Sequence, residues 1–128
     1  MLFFDAPPYA HKRRRRVVID GREFWLQNNQ FWYLLHLAAG LHGNHGGWCD
    51  VAALVSGPGG DTMPVKYVYQ LRKQVEGSGL RIENTPPLSY RIADLAPCEV
   101  VVAARLREDT DARIAELARE IWAKNEED

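Results

Sequence analysis

Residues 64–76, PVKYVYQLRKQVE, decide how this chain is read. Val65, Val68, Leu71 and Val75 recur at the three- and four-residue spacing that lines one side of an α-helix, whose residues advance about 100° each. Pro64 suits the first turn, where its missing N–H costs nothing, and Gly77 and Gly79 end the segment. The opposite side carries Lys66, Tyr69, Gln70 and Lys73. One helix thus buries aliphatic groups and turns two cations, an amide and a phenol outward. Such a face belongs to any solvated helix, and it also suits a helix that meets base edges.

The neighbouring segments give this helix a context. Upstream, Asn28 is expected to cap a helix in which Phe31, Leu34, Leu35 and Ala38 recur at helical spacing and which Gly40 ends. A glycine-rich loop around Gly43, Gly46 and Gly47 leads to Asp50, the expected cap of a short helix through Val55, and residues 56–60 (SGPGG) form a loop. Before the first helix, Val17-Val18-Ile19 and Glu23-Phe24-Trp25-Leu26 flank Asp20-Gly21, the signature of a hairpin with a type I′ turn. Downstream, residues 80–83 and 88–92 read as two strands of a second hairpin, and residues 99–104 as a further strand. Thr110 or Asp111 is expected to cap a last helix with Ile114, Leu117, Ala118, Ile121 and Trp122 on one stripe.

A strand pair, three helices and a β-hairpin follow one another in the order of a winged helix-turn-helix. The expected class is α+β, with an added C-terminal strand and helix. Three parts are expected: a basic N-terminal arm (1–16), the winged-helix body (17–93) and an acidic strand–helix extension (94–128).

The charge distribution agrees. The net charge of −1 over 128 residues conceals a split. Residues 1–92 hold 11 Lys and Arg against 7 Asp and Glu, net +4, and residues 93–128 hold 5 against 10, net −5. Within the basic part, Lys12, Arg13, Arg14, Arg15 and Arg16 form a dense run, read either as a solvated tag or as an arm that touches phosphates. No apolar run approaches the ~18 residues of a membrane span, and residues 1–10 hold no secretory h-region. With only Cys49 and Cys98, no disulfide framework forms and a cytoplasmic setting is expected.

The residues also resemble a family. Residues 26–37 (LQNNQFWYLLHL) are similar to the first helix of the OmpR/PhoB-type winged-helix effector domain, L-T-x-x-E-F-x-L-L-x-x-L. Residues 64–75 resemble its recognition helix, V-D-V-H-I-x-R-L-R-x-K-L, with Leu71-Arg72 at its Leu-Arg. Residues 82–92 (IENTPPLSYRI) resemble its wing, I-x-T-V-R-G-x-G-Y-R-L, ending in Tyr90-Arg91-Ile92. The resemblance covers residues 17–92 and implies sequence-specific binding of double-stranded DNA by a transcriptional regulator. Carried over, Lys66, Tyr67, Tyr69, Gln70 and Lys73 face the groove or its phosphates. Arg72 braces the helix or reaches a phosphate, and Arg91 lies in the wing. The loop at 56–63 is where such proteins often touch RNA polymerase.

Three departures stand out. Pro86-Pro87 replaces the wing's Arg-Gly, Ser89 replaces its glycine, and Gln27 and Gln30 replace the Thr and Glu of the first helix. No receiver domain is expected ahead of residue 17. The basic run, Arg13 to Arg16 above all, is the expected electrostatic substitute for the missing wing arginine. The alternative is a winged helix turned into a protein–protein interaction or scaffold module.

Other chemistry is less well supported. His42, His45 and Cys49 lie within eight residues but lack the paired short spacing of a zinc site, so they read as part of an interhelical turn. His36 reads as a partly exposed helix histidine, and Trp25, Trp32, Tyr33 and Trp48 as packing. No phosphate loop, nucleophile elbow or HExxH occurs, so neither an enzyme nor a cofactor is expected. The stripe of Ile114, Leu117, Ile121 and Trp122 needs a cover. It either folds back on the body or pairs with a second copy, and a two-fold dimer would suit paired half-sites.

Overall fold

The computed structural model describes residues 1–5, 14–41, 49–50, 64–85, 89–93, 95 and 99–127. The architecture is α+β. The elements in chain order are β1 (Leu2–Phe4), β2 (Arg14–Ile19), β3 (Arg22–Gln27), α1 (Asn28–Gly40), β4 (Cys49–Asp50), α2 (Pro64–Gln74), β5 (Arg81–Thr85), β6 (Ser89–Ala93), β7 (Val100–Val102), a 3₁₀ turn (Ala104–Glu108) and α3 (Ala112–Glu127). They build two sheets, one of four strands in the order β3-β2-β1-β7 and one of three in the order β4-β6-β5.

The first hairpin forms as its turn chemistry dictates. Asp20 and Gly21 both adopt positive φ, 48° and 85°, the backbone that a type I′ turn demands. Val17 pairs with Phe24 and Ile19 with Arg22, so Val17, Ile19 and Leu26 point into the core.

β1 places the start of the expected N-terminal arm in a sheet. Leu2–Phe4 runs antiparallel to β2 and parallel to β7, with Leu2 facing both Ile19 and Val100. Three residues are too few to show strand periodicity in a sequence. Here the strand exists because two neighbours satisfy its backbone and because Leu2 and Phe4 are fully buried. Phe4 meets Phe31 of α1 edge to face, with ring centroids 5.3 Å apart. The C-terminal strand is therefore the edge of the same sheet that the N-terminus enters.

α1 is the hub. Besides Phe31, Leu34, Leu35 and Ala38, the structure buries Trp32, Tyr33 and Leu37, so the helix is covered on more than one side. It packs against α2, α3, β2, β3 and β6. A helix wrapped by its neighbours needs no wide polar face, which is why a single stripe understates its burial. Its N-cap is Gln27 rather than Asn28. Gln30, itself buried, accepts the Gln27 backbone N–H at 3.2 Å through Oε1, the reach-back half of a capping box.

The second hairpin pairs Ile82 with Ile92 and Glu83 with Arg91, and β4 adds to its other side through Cys49 opposite Tyr90. Gly77 and Gly79, both at φ +87°, reverse the chain between α2 and β5, a backbone that any Cβ would strain. Asp111 caps α3 as expected, its Oδ1 accepting the N–H groups of Arg113 at 3.0 Å and Ile114 at 3.4 Å. The expected helix at 50–55 falls outside the described residues, apart from Asp50, which lies in β4.

Candidate nucleic-acid interface

α2 divides as its periodicity predicts. Val68, Leu71 and Val75 are buried against the core, while Tyr69, Arg72, Lys73 and Gln74 are exposed and Gln70 is half-buried. Tyr69 is 59% exposed, a large ring left in solvent. The Lys73 ammonium lies 5.7 Å from its centroid, one helical turn further on. Lys66 and Tyr67 belong to the first turn of α2, and the described side chains of the helix begin at Val68. The helix carries Lys66, Arg72 and Lys73 and no carboxylate. It is a +3 rod of 11 residues, about 16 Å long at 1.5 Å per residue.

Two contacts fix the attitude of this helix. Arg72 Nη2 donates to the Ile82 carbonyl at 2.7 Å, tying α2 to β5, so its guanidinium serves the bracing role. Arg22 Nη1, on the first hairpin, donates to the Gly77 carbonyl at 2.7 Å, just past the end of α2. Cations suit this end of a helix, where carbonyls lack partners. The Arg22 contact had no local signal in the sequence, because its partner lies 55 residues away.

The basic run is placed differently from an arm. Arg13 lies outside the described residues. Arg14, Arg15 and Arg16 belong to β2, and successive side chains therefore leave the sheet on opposite faces. Arg14 is exposed. Arg15 turns inward and grips Asp109 with both terminal nitrogens, at 2.8 and 2.9 Å. Its Nε donates to Asn28 Oδ1 at 2.7 Å, and its guanidinium lies 5.4 Å from the Phe31 ring centroid. Asn28 Nδ2 in turn donates to Asp111 Oδ2 at 3.2 Å, so the residue expected to cap α1 instead joins it to the start of α3. Arg16 on the other face pairs with Glu23 and Asp5. These two carboxylates, Glu23 first and then Asp5, hold the Arg16 guanidinium above its ordinary value. Arg15 and Arg16 are thus engaged within the fold, where the sequence expectation had them free for a polyanion.

Arg91 is committed too. Its Nε donates to Glu83 Oε1 at 3.0 Å, directly across the second hairpin. Residues 86–88, which include Pro86-Pro87, lie outside the described residues.

The C-terminal stripe finds its cover in cis. Ile114 and Ile121 are fully buried and Leu117 nearly so, in the same core as α1. Trp122 packs at the margin with the Arg107 guanidinium 4.1 Å from its centroid, and its Nε1 donates to Glu126 at 2.7 Å. Trp32 and Tyr33 are core residues that meet edge to face at 5.0 Å, and Trp25 donates to Glu23 at 2.8 Å. An open groove of about 460 Å³ runs between α1 and α3, lined by Trp32, His36, Arg113, Glu116, Leu117 and Glu120. His42, His45 and Trp48 lie outside the described residues. No described helix is long and apolar enough to cross a membrane.

No known family, curated protein or solved structure matches this chain.

Proposed function

We propose that the chain is a winged-helix, OmpR/PhoB-like protein that binds double-stranded DNA and regulates transcription, with α2 as the element that enters the major groove. The observation that carries this reading is the outward face of α2, where exposed Tyr69 and Lys73 and half-buried Gln70 sit on a carboxylate-free helix braced by Arg72 and Arg22. A helix about 10–12 Å across with its side chains fits a groove about 12 Å wide. The order α1, β4, α2, β5, β6 supports it further. β4 pairs with the return strand of the hairpin, and the Arg72 bond to the Ile82 carbonyl links α2 to its first strand, a connection that suits a wing.

A salt titration of fluorescence anisotropy on a random-sequence duplex tests the reading. With Arg14, Lys66 and Lys73 on phosphates, log K should fall against log salt with a slope of about −3, and Lys73→Ala should reduce its magnitude by about 1. A flat, weak response overturns the reading.

A second reading has one specific observation in its favour. Arg15, Arg16 and Arg91 are each paired with carboxylates of the same chain, which removes three cations from any polyanion surface. A protein-interaction module with the solvent-facing ring of Tyr69 as its anchor would look the same, and it would give the flat titration. Partnership with RNA polymerase through residues 56–63 rests on the family resemblance alone.

A further inference from the structure

We infer that the outward face of α2 selects adenine–thymine pairs, Gln70 reading adenine and Tyr69 meeting the thymine methyl. The inference rests on the reading of α2 as a major-groove helix and adds the base class it prefers.

In the major groove adenine offers an acceptor beside a donor, which one amide side chain can match with two hydrogen bonds, while thymine adds an apolar methyl. Gln70 is the amide and Tyr69 the apolar surface, and the two are neighbours on the side opposite Val68, Leu71 and Val75. With 59% of its surface in solvent, Tyr69 has apolar area to bury against a partner.

The two cations on the described part of this face, Arg72 and Lys73, each have a partner within the chain. Arginine is the commonest partner of guanine, but Arg72 donates to the Ile82 carbonyl. Lys73 is drawn over the Tyr69 ring at 5.7 Å, which leaves the other ring face and the edge for the methyl and keeps a cation at the groove wall. Lys66 lies four residues before Gln70, about 6 Å along the axis, and in this reading serves a phosphate.

The test begins with selection of the full chain against a randomised duplex pool, followed by sequencing. The enriched duplex is then remade with uracil in place of thymine, which deletes only the methyl. The expected results are enrichment of A·T at the contacted positions and a roughly fourfold loss of wild-type affinity on the uracil duplex, the equivalent of one buried methyl. Tyr69→Ala should bind the thymine and uracil duplexes equally, and Gln70→Ala should lose about tenfold on the enriched site with little change on random DNA. Because the uracil exchange alters the ligand, its result does not depend on how any variant folds. Enrichment of G·C, or equal wild-type affinity for the two duplexes, overturns the inference and leaves DNA binding intact. Absence of salt-sensitive binding to the whole pool overturns the reading beneath it.

Discussion

Replacing Arg15 should cost this protein more stability than any other single change among the arginines of β2. Its guanidinium makes a bidentate pair with Asp109 at 2.8 and 2.9 Å and a third bond to Asn28 at 2.7 Å. The partners are 22% and 14% exposed, between the solvated and the fully buried case. At this separation an effective dielectric near 20 gives a gross attraction of about 6 kcal/mol, most of which desolvation of both ions cancels. Exposed pairs yield at most about 1 kcal/mol, and breaking buried ones costs about 3–5. A coupling of about 2 kcal/mol follows, with about 3 for Arg15→Met alone because Asp109 and Asn28 both lose a partner.

The assay is a double-mutant cycle of Arg15→Met and Asp109→Ala by urea denaturation, with the slope checked for constancy. At this chain length about 3 kcal/mol corresponds to roughly 10 °C in Tm. Asp109 also accepts the Asp111 N–H at 2.9 Å, a term that the cycle cancels. Amide exchange across residues 112–121 should accelerate in Arg15→Met, since the pair ties β2 to the entrance of α3. A coupling below about 0.5 kcal/mol would refute the argument, because it is the value of a solvated pair.

Other predictions concern the turn, the last helix and pH. Gly21→Ala should destabilise by about 1 kcal/mol on thermal melting purely through its φ of 85°, as nothing lies within 4 Å of the added Cβ. Ile121→Asp should lower the melting point steeply and lose helical circular dichroism, since it puts a charge at a fully buried site; a variant that melts like the wild type would show that α3 does not pack as described. Arg16 has its folded value raised, so its stabilisation is complete below the unfolded value and lost only as pH rises through the folded one. The cost of Arg16→Met attributable to that guanidinium's own titration should therefore not change between about pH 6 and 9 in denaturant titrations.

Much of the order along the chain was open to sequence reasoning, because the signals are local. The Asp20-Gly21 turn, the apolar side of α2, the Asp111 cap and the two glycines after α2 each act within a few residues, and each appears where the pattern put it. Charge could be counted from the sequence but not assigned. The run at Arg13 to Arg16 reads as one cationic arm. In the fold its β2 portion sends Arg15 to Asp109, 94 residues away, and Arg16 to Asp5 and Glu23. Strand alternation is local, but the identity of the carboxylate waiting on each face is not. β1 was hidden for the same reason, since three residues become a strand only when β2 and β7 flank them. The C-terminal stripe showed that something must cover it, and only packing against α1 decided that the cover is the chain itself. Periodicity and turn chemistry are properties of neighbours in sequence, whereas pairing and burial depend on neighbours in space.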